Sequence, residues 1–92
     1  MTYYYSQKLT ATTTEQKFEL PRLRSIRILN YGNEDVVVEF EGDVNENSIV
    51  IPVNGDIYIG GDMLYMKYKT NNGSSTVYIY GLRHEKIWDG ED

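Results

Sequence analysis

The chain has a single histidine, His84, and no cysteine. A histidine-centred triad needs a nucleophile and an orienting acid around the imidazole, while a thiolate nucleophile, a disulfide framework or a cysteine-bound zinc needs sulfur. His84 lies in the polar run RHEKIWDGED beside Glu85 and Asp89 and reads as a solvated side chain. Carboxylates are the other candidates. Glu39 and Glu41 stand two apart on one strand face, a spacing compatible with paired acid–base chemistry, but such chemistry also needs a cleft between the two groups. On an exposed strand they read as charges that keep the run Val36, Val37, Val38 from aggregating.

Metal and phosphate motifs fail on individual positions. Asp43-Val44-Asn45-Glu46-Asn47 imitates the start of a calcium loop, yet the sixth position is Ser48 instead of glycine and the twelfth is Asn54 instead of a bidentate glutamate. Gly60-Gly61 is followed by Asp62 and a strand pattern, with no helix N-terminus or lysine to cradle a phosphate. Asn72-Gly73-Ser74 matches a glycosylation sequon but sits on a tight turn. The reading is therefore of no catalytic residue, no metal site, no cofactor and no enzymatic activity.

Contact chemistry is better represented. Nine tyrosines in 92 residues is the compositional outlier; tyrosine packs a ring on a pleated sheet while its hydroxyl reaches water, and it is enriched where proteins meet partners. Folding residues 63–82 at Asn72-Gly73, the preferred dipeptide of a type I′ turn, sets Tyr65 opposite Tyr80 and Lys67 opposite Tyr78. With Tyr58 from the preceding strand, these five residues (Tyr58, Tyr65, Lys67, Tyr78, Tyr80) form one expected face, for a protein partner or a stacked sugar ring. Two further contact features stand out: Tyr3, Tyr4 and Tyr5 at the start with Trp88 near the end, and the basic cluster Arg22, Arg24 and Arg27. The cluster reads either as a contact for an acidic surface or as a solvated strand edge.

These residues must be positioned by strands. The formal charge is −5, which opposes nucleic-acid binding. No apolar run approaches the ~20 residues that cross a bilayer, and the first residues, TYYYSQKLT, lack a signal pattern, so a soluble chain without membrane contact is expected. Alternation of period two recurs along the chain: Phe18 and Leu20 share a face, then Ile26 and Ile28, then Val36, Val38 and Phe40, with Arg27, Leu29, Val37, Glu39 and Glu41 opposite. In the 63–82 hairpin, Leu64, Met66, Tyr68, Val77 and Ile79 point to the core. Around Asn54-Gly55, either a three-residue turn pairs Val53 with Ile57, or the chain crosses between sheets at Pro52. No helix-period segment appears. The expectation is an all-β, antiparallel β-sandwich, jelly-roll or Ig-like, of roughly six to eight short strands. Residues 1–15 form an N-terminal arm or a peripheral strand, 16–82 the sandwich, and 83–92 a polar acidic tail.

One cadence runs through residues 24–82. A strand closes in asparagine (SIRILN), a second in glycine (VVVEFEG), a third passes a proline into a glycine turn (IVIPVNG), and a last one reads VYIYG. In this it resembles the small β-sandwich virion proteins of tailed bacteriophages, the head-decoration and head-fibre type. The resemblance implies a non-enzymatic virion protein (capsid decoration, head-fibre, or connector and tail component) that acts by contacts with copies of itself and with other virion proteins. The Tyr/Thr-rich start and the Trp-bearing tail depart from the cadence and would serve as subunit contacts. A carbohydrate-binding module using the tyrosine face is the alternative.

Overall fold

A computed structural model of the chain describes residues 2–20, 23–60 and 63–84. The alternating segments become eight strands: β1 (Thr2–Ala11), β2 (Gln16–Glu19), β3 (Leu23–Asn30), β4 (Val36–Phe40), β5 (Ile49–Ile51), β6 (Asp56–Gly60), β7 (Tyr65–Thr70) and β8 (Ser75–His84). They form two four-stranded antiparallel sheets, a front sheet in the order β1-β8-β3-β6 and a back sheet in the order β2-β7-β4-β5. Every connection crosses from one sheet to the other except β4 to β5. This is the eight-stranded jelly-roll form of the sandwich.

The inner faces are the ones that the alternation picks out. Ile26 and Ile28 of β3, with Val77 and Ile79 of β8, lie against Val36 and Val38 of β4, Met66 and Tyr68 of β7 and Ile51 of β5, all buried. Tyr5, Leu9, Phe18, Phe40, Ile57 and Ile59 pack around this cluster. Leu64 does not join it. It precedes β7 and is 73% exposed, its N–H donating to Glu41 Oε2 at 2.7 Å and its carbonyl accepting from Leu20 N–H at 2.9 Å.

The hairpin expected at residues 63–82 does not form. β7 belongs to the back sheet and β8 to the front sheet, so Lys67 pairs with Lys17 and Glu39, while Tyr78 pairs with Lys8 and Leu29. The turn explains the difference. A type I′ turn requires positive φ at both central residues, but only Gly73 takes it, at 70°. Thr70 Oγ1 donates to the Gly73 carbonyl at 2.6 Å and Thr70 N–H to the Thr12 carbonyl at 2.8 Å, carrying the chain over the end of the sandwich. At Asn54-Gly55 the crossover at Pro52 is the alternative that forms, with Asn54 itself at φ 65°.

Asn30 ties this end together. It has no exposed surface. Its Nδ2 donates to the Glu34 carbonyl at 2.7 Å and the Ile51 carbonyl at 2.9 Å; its Oδ1 accepts from Ser75 Oγ at 2.7 Å and from Gly32 N–H at 3.1 Å. All four hydrogen-bonding positions of the amide are used, and they join strands of both sheets with the β3–β4 crossover. Near the opposite end, β3 carries an irregularity between Leu23 and Ser25. Its Ser25 carbonyl lies so close to Gly81 that a Cβ there would collide with it, a close backbone approach that glycine in a strand permits.

Residues 2–11 form β1, which pairs with β8 of the same chain from Thr2–His84 to Ala11–Ser75. β8 continues through His84, two residues past the expected end of the sandwich at 82. Arg22, Trp88 and the rest of the tail from 85 onward lie outside the described residues, as do the side chains of Tyr3, Tyr4, Arg24 and His84. Among the described residues no helix is long and apolar enough to cross a membrane.

Candidate binding surface

The outer face of the front sheet is built in rows by strand register. Ser6, Tyr80, Arg27 and Tyr58 form one row across β1, β8, β3 and β6, and Lys8, Tyr78, Leu29 and Asp56 form the next. These are the non-core positions of each strand, which is why tyrosine, arginine and leucine share the face while Ile26, Ile28, Val77 and Ile79 point inward. Tyr31, one residue past β3, closes the patch: its ring meets Tyr78 edge-on, with centroids 5.0 Å apart and planes at 79°. Tyr58 is 62% exposed and Tyr31 57%, while Tyr78, Tyr80 and Leu29 are half-buried. Arg27 Nε lies 3.4 Å from Asp56 Oδ2, both side chains about half exposed. The result, among the described residues, is an aromatic surface that holds the Arg27–Asp56 ion pair.

The tyrosine face expected from the sequence is thereby divided. Tyr58, Tyr78 and Tyr80 are on the front sheet; Tyr65 and Lys67 are on the outer face of the back sheet, on the other side of the sandwich. There Lys17 Nζ stands 4.4 Å from the centre of the Tyr65 ring, a cation–π contact. Lys67 Nζ donates to Asp43 Oδ1 at 2.6 Å and lies 3.7 Å from Glu15 Oε2. The hydrogen bond and the charge of Lys67 hold the Asp43 carboxyl below its ordinary pKa; the same hydrogen bond, against some desolvation, raises Lys67 above its own. Tyr65 and Lys67 therefore do not stand beside Tyr80 and Tyr78.

Three solved structures share this architecture. PirA superposes with a TM-score of 0.59 at 14% identity, over 86% of this chain and 94% of that chain. The SPBc2 prophage-derived protein YomS gives 0.57 at 10% identity, over 87% and 95%. Hydroxypropylphosphonic acid epoxidase from S. wedmorenis gives 0.59 at 6% identity over 85% of this chain, which spans only 42% of that one. The likeness is one of fold. No family model matches the sequence, and no curated protein matches it.

The remaining sequence candidates have structural occupations. Glu39 Oε1 accepts from Ser48 Oγ at 2.6 Å and Glu41 Oε2 from Leu64 N–H, so the two carboxylates hold separate loops instead of facing a shared cleft. The Asp43–Asn47 run is an Asx-type loop, with Asn45 Oδ1 accepting from Asn47 N–H at 2.8 Å while Asp43 is spent on Lys67. Among the described residues no group of three or more histidines and carboxylates is arranged to hold a metal ion. Of the basic cluster, Arg27 alone has a described side chain, and it belongs to the aromatic face.

Tyr31, which lies in the run NYGNED, dense in turn-forming residues, is the one ring of this patch that the sequence reading did not include. Continuing the alternation past Leu29 would have placed it there. A groove of about 280 Å³ on the back sheet also escaped the sequence reading. Val37, Val44 and Val50 line it together with the polar residues Asn45, Glu46, Ser48, Lys69 and Asn71. The β4–β5 connection folds back over β4, so Val37 is buried although it points away from the core.

Proposed function

We propose that this chain is a non-enzymatic structural protein of a tailed-phage virion, a capsid-decoration, head-fibre or connector and tail component, working by protein–protein contacts through the outer face of its front sheet. The observation that carries the reading is the continuous patch of Tyr31, Tyr78, Leu29, Tyr80 and Tyr58, two of its rings more than half exposed. Exposed aromatics in one patch mark contact sites. The virion assignment is supported by the strand cadence of residues 24–82 and by a prophage-derived protein of comparable extent having this fold. Virion localisation follows under this reading. Co-sedimentation with purified particles of the phage that encodes the chain tests it: wild type binds, and Tyr58→Ala with Tyr80→Ala weakens binding at least tenfold. Failure of the wild-type chain to bind or to be present in such particles overturns it.

A second reading has an observation of its own. Tyr58 and Tyr80 flank Arg27 in one row, and its partner Asp56 stands in the next, which sets stacking surfaces beside charged hydrogen-bonding groups, as a saccharide ligand would need. A glycan array in which no saccharide binds, or in which binding survives Tyr58→Ala with Tyr80→Ala, removes it.

A further inference from the structure

The two outer faces of the sandwich differ in charge. Among the described residues, the front face carries Lys8, Arg27 and Asp56, two cations against one carboxylate. The back face and its β4–β5 loop carry six carboxylates, Glu15, Glu19, Glu39, Glu41, Asp43 and Glu46, against the three lysines of β2 and β7. The back face also has the valine-lined groove beside Glu46. It is acidic, with a recess where valines and polar side chains meet; the front is aromatic and slightly basic.

We propose that the front face of one copy docks on the back face of another, Tyr58 seated toward the groove at Val37, Val44 and Val50, and Arg27 and Lys8 against Glu46 and the other carboxylates of the back face. The inference deepens the reading above by naming a second copy as one partner of the same surface. Complementary charge favours the pairing: front against front brings together two faces that each carry an excess of cations, whereas front against back sets that excess against an excess of carboxylates. Tyr58 is the aromatic suited to entering the groove, because it stands on the edge strand β6 and is the most exposed ring of the patch. The Arg27–Asp56 pair is a weak obstacle, since half-exposed surface ion pairs contribute only ~0–1 kcal/mol.

Such a contact uses different surfaces on the two copies, so it propagates into a ring or a filament instead of closing as a symmetric dimer. Four strands at ~4.8 Å spacing and five residues at ~3.4 Å give a face of roughly 300 Å². That is well under the ~800 Å² per partner of a standard stable interface. Single contacts are therefore weak and concentration-dependent, and an array that presents many copies strengthens them by multivalency.

The experiment is sedimentation equilibrium with two complementary variants. A front variant carries Tyr58→Ala and Lys8→Glu; a back variant carries Val50→Lys and Glu46→Lys. All four are exposed positions, and circular dichroism melts verify that both variants keep the fold. Wild type is expected to rise above the 10.7 kDa monomer mass with concentration, more strongly at low salt. Each variant alone is expected to self-associate at least tenfold more weakly. A mixture of the two is expected to form a complex of two chains that does not grow, because each chain keeps one working face. Wild type that stays monomeric at millimolar concentration overturns the inference, and if it still sediments with phage particles the functional reading stands without it. Undiminished self-association of the back variant alone also overturns it, since that would place the front face against itself.

Discussion

A buried amide that uses all of its hydrogen-bonding capacity is costly to alter, because each abandoned partner keeps its desolvation penalty. Asn30 is in that position: its side chain serves the carbonyls of Glu34 and Ile51, the hydroxyl of Ser75 and the N–H of Gly32. Asn30→Ala is expected to lower unfolding free energy by about 2–4 kcal/mol, measured by urea denaturation. Asn30→Asp keeps the shape but cannot donate to the two carbonyls when ionised, and it buries a charge among acceptors. It is expected to cost at least as much at neutral pH, with part of the loss recovered as the pH falls and the carboxyl becomes protonated. An Asn30→Ala loss below ~1 kcal/mol would mean that the amide is not what joins the crossovers. In the sequence this residue is marked only as the asparagine that closes the strand SIRILN. Nothing in its neighbours along the chain reveals that Ile51 and Ser75 converge on it.

At the scale of the strand, alternation predicts which way each side chain points, and those directions are largely the observed ones. Ile26 with Ile28, Val36 with Val38, and Met66 with Tyr68 face the core. Alternation does not say which strand lies alongside. Met66 and Tyr68 would point inward in a hairpin with Val77 and Ile79, and they point inward just as well from the opposite sheet. The division of the tyrosine face between two surfaces follows from that one ambiguity. The β4–β5 connection shows the converse case, an apparently ordinary polar loop that the structure fastens to the back sheet. Val44 N–H donates to Glu15 Oε1 at 3.1 Å, Ser48 Oγ donates to Glu39, and Asp43 accepts from Lys67. The pH dependence follows in sign. Asp43 titrates below its ordinary value of 3.8 in the folded chain, so its contribution is present above that value and is lost as the pH falls through the folded pKa. Lys67 titrates above its ordinary 10.5, so its contribution is present below that value and is lost as the pH rises through the folded pKa. The loop is expected to be fastened across the range between. As the pH falls below 3.8 toward the folded pKa of Asp43, the amide resonances of Val44, Asn45 and Asn47 should shift and their protection against exchange, relative to the unfolded chain at the same pH, should fall ahead of that of core amides such as Ile79. Lys67→Met should loosen the same amides at neutral pH. Loop amides unchanged both by acid and by that substitution would show that the ion pair does not hold the loop.

Across the whole molecule, the topology sets how the chain can fold. Only β4 with β5 pairs strands adjacent in sequence; β1 pairs with β8, β3 with β6 and β8, and β7 with β2 and β4. The front sheet is incomplete until the first strand meets the last, Thr2 opposite His84. Loop closure must therefore be met before most contacts form, which places such chains among the slow two-state folders, at milliseconds to seconds. A local hairpin at residues 63–82 would act differently, supplying an early nucleus on the ~1–10 μs scale. Refolding followed by far-ultraviolet circular dichroism and tyrosine fluorescence should show one relaxation in the slower range, with both probes coincident. Ile79→Val, at the centre of β8 between its two neighbours, should destabilise by about 0.5–1.5 kcal/mol. A front sheet that assembles late directs most of that change into faster unfolding. A missing amplitude assignable to residues 63–82, or Ile79→Val slowing folding by its full equilibrium effect, would instead place β7 and β8 together at the start of folding, a pairing the finished jelly roll does not contain.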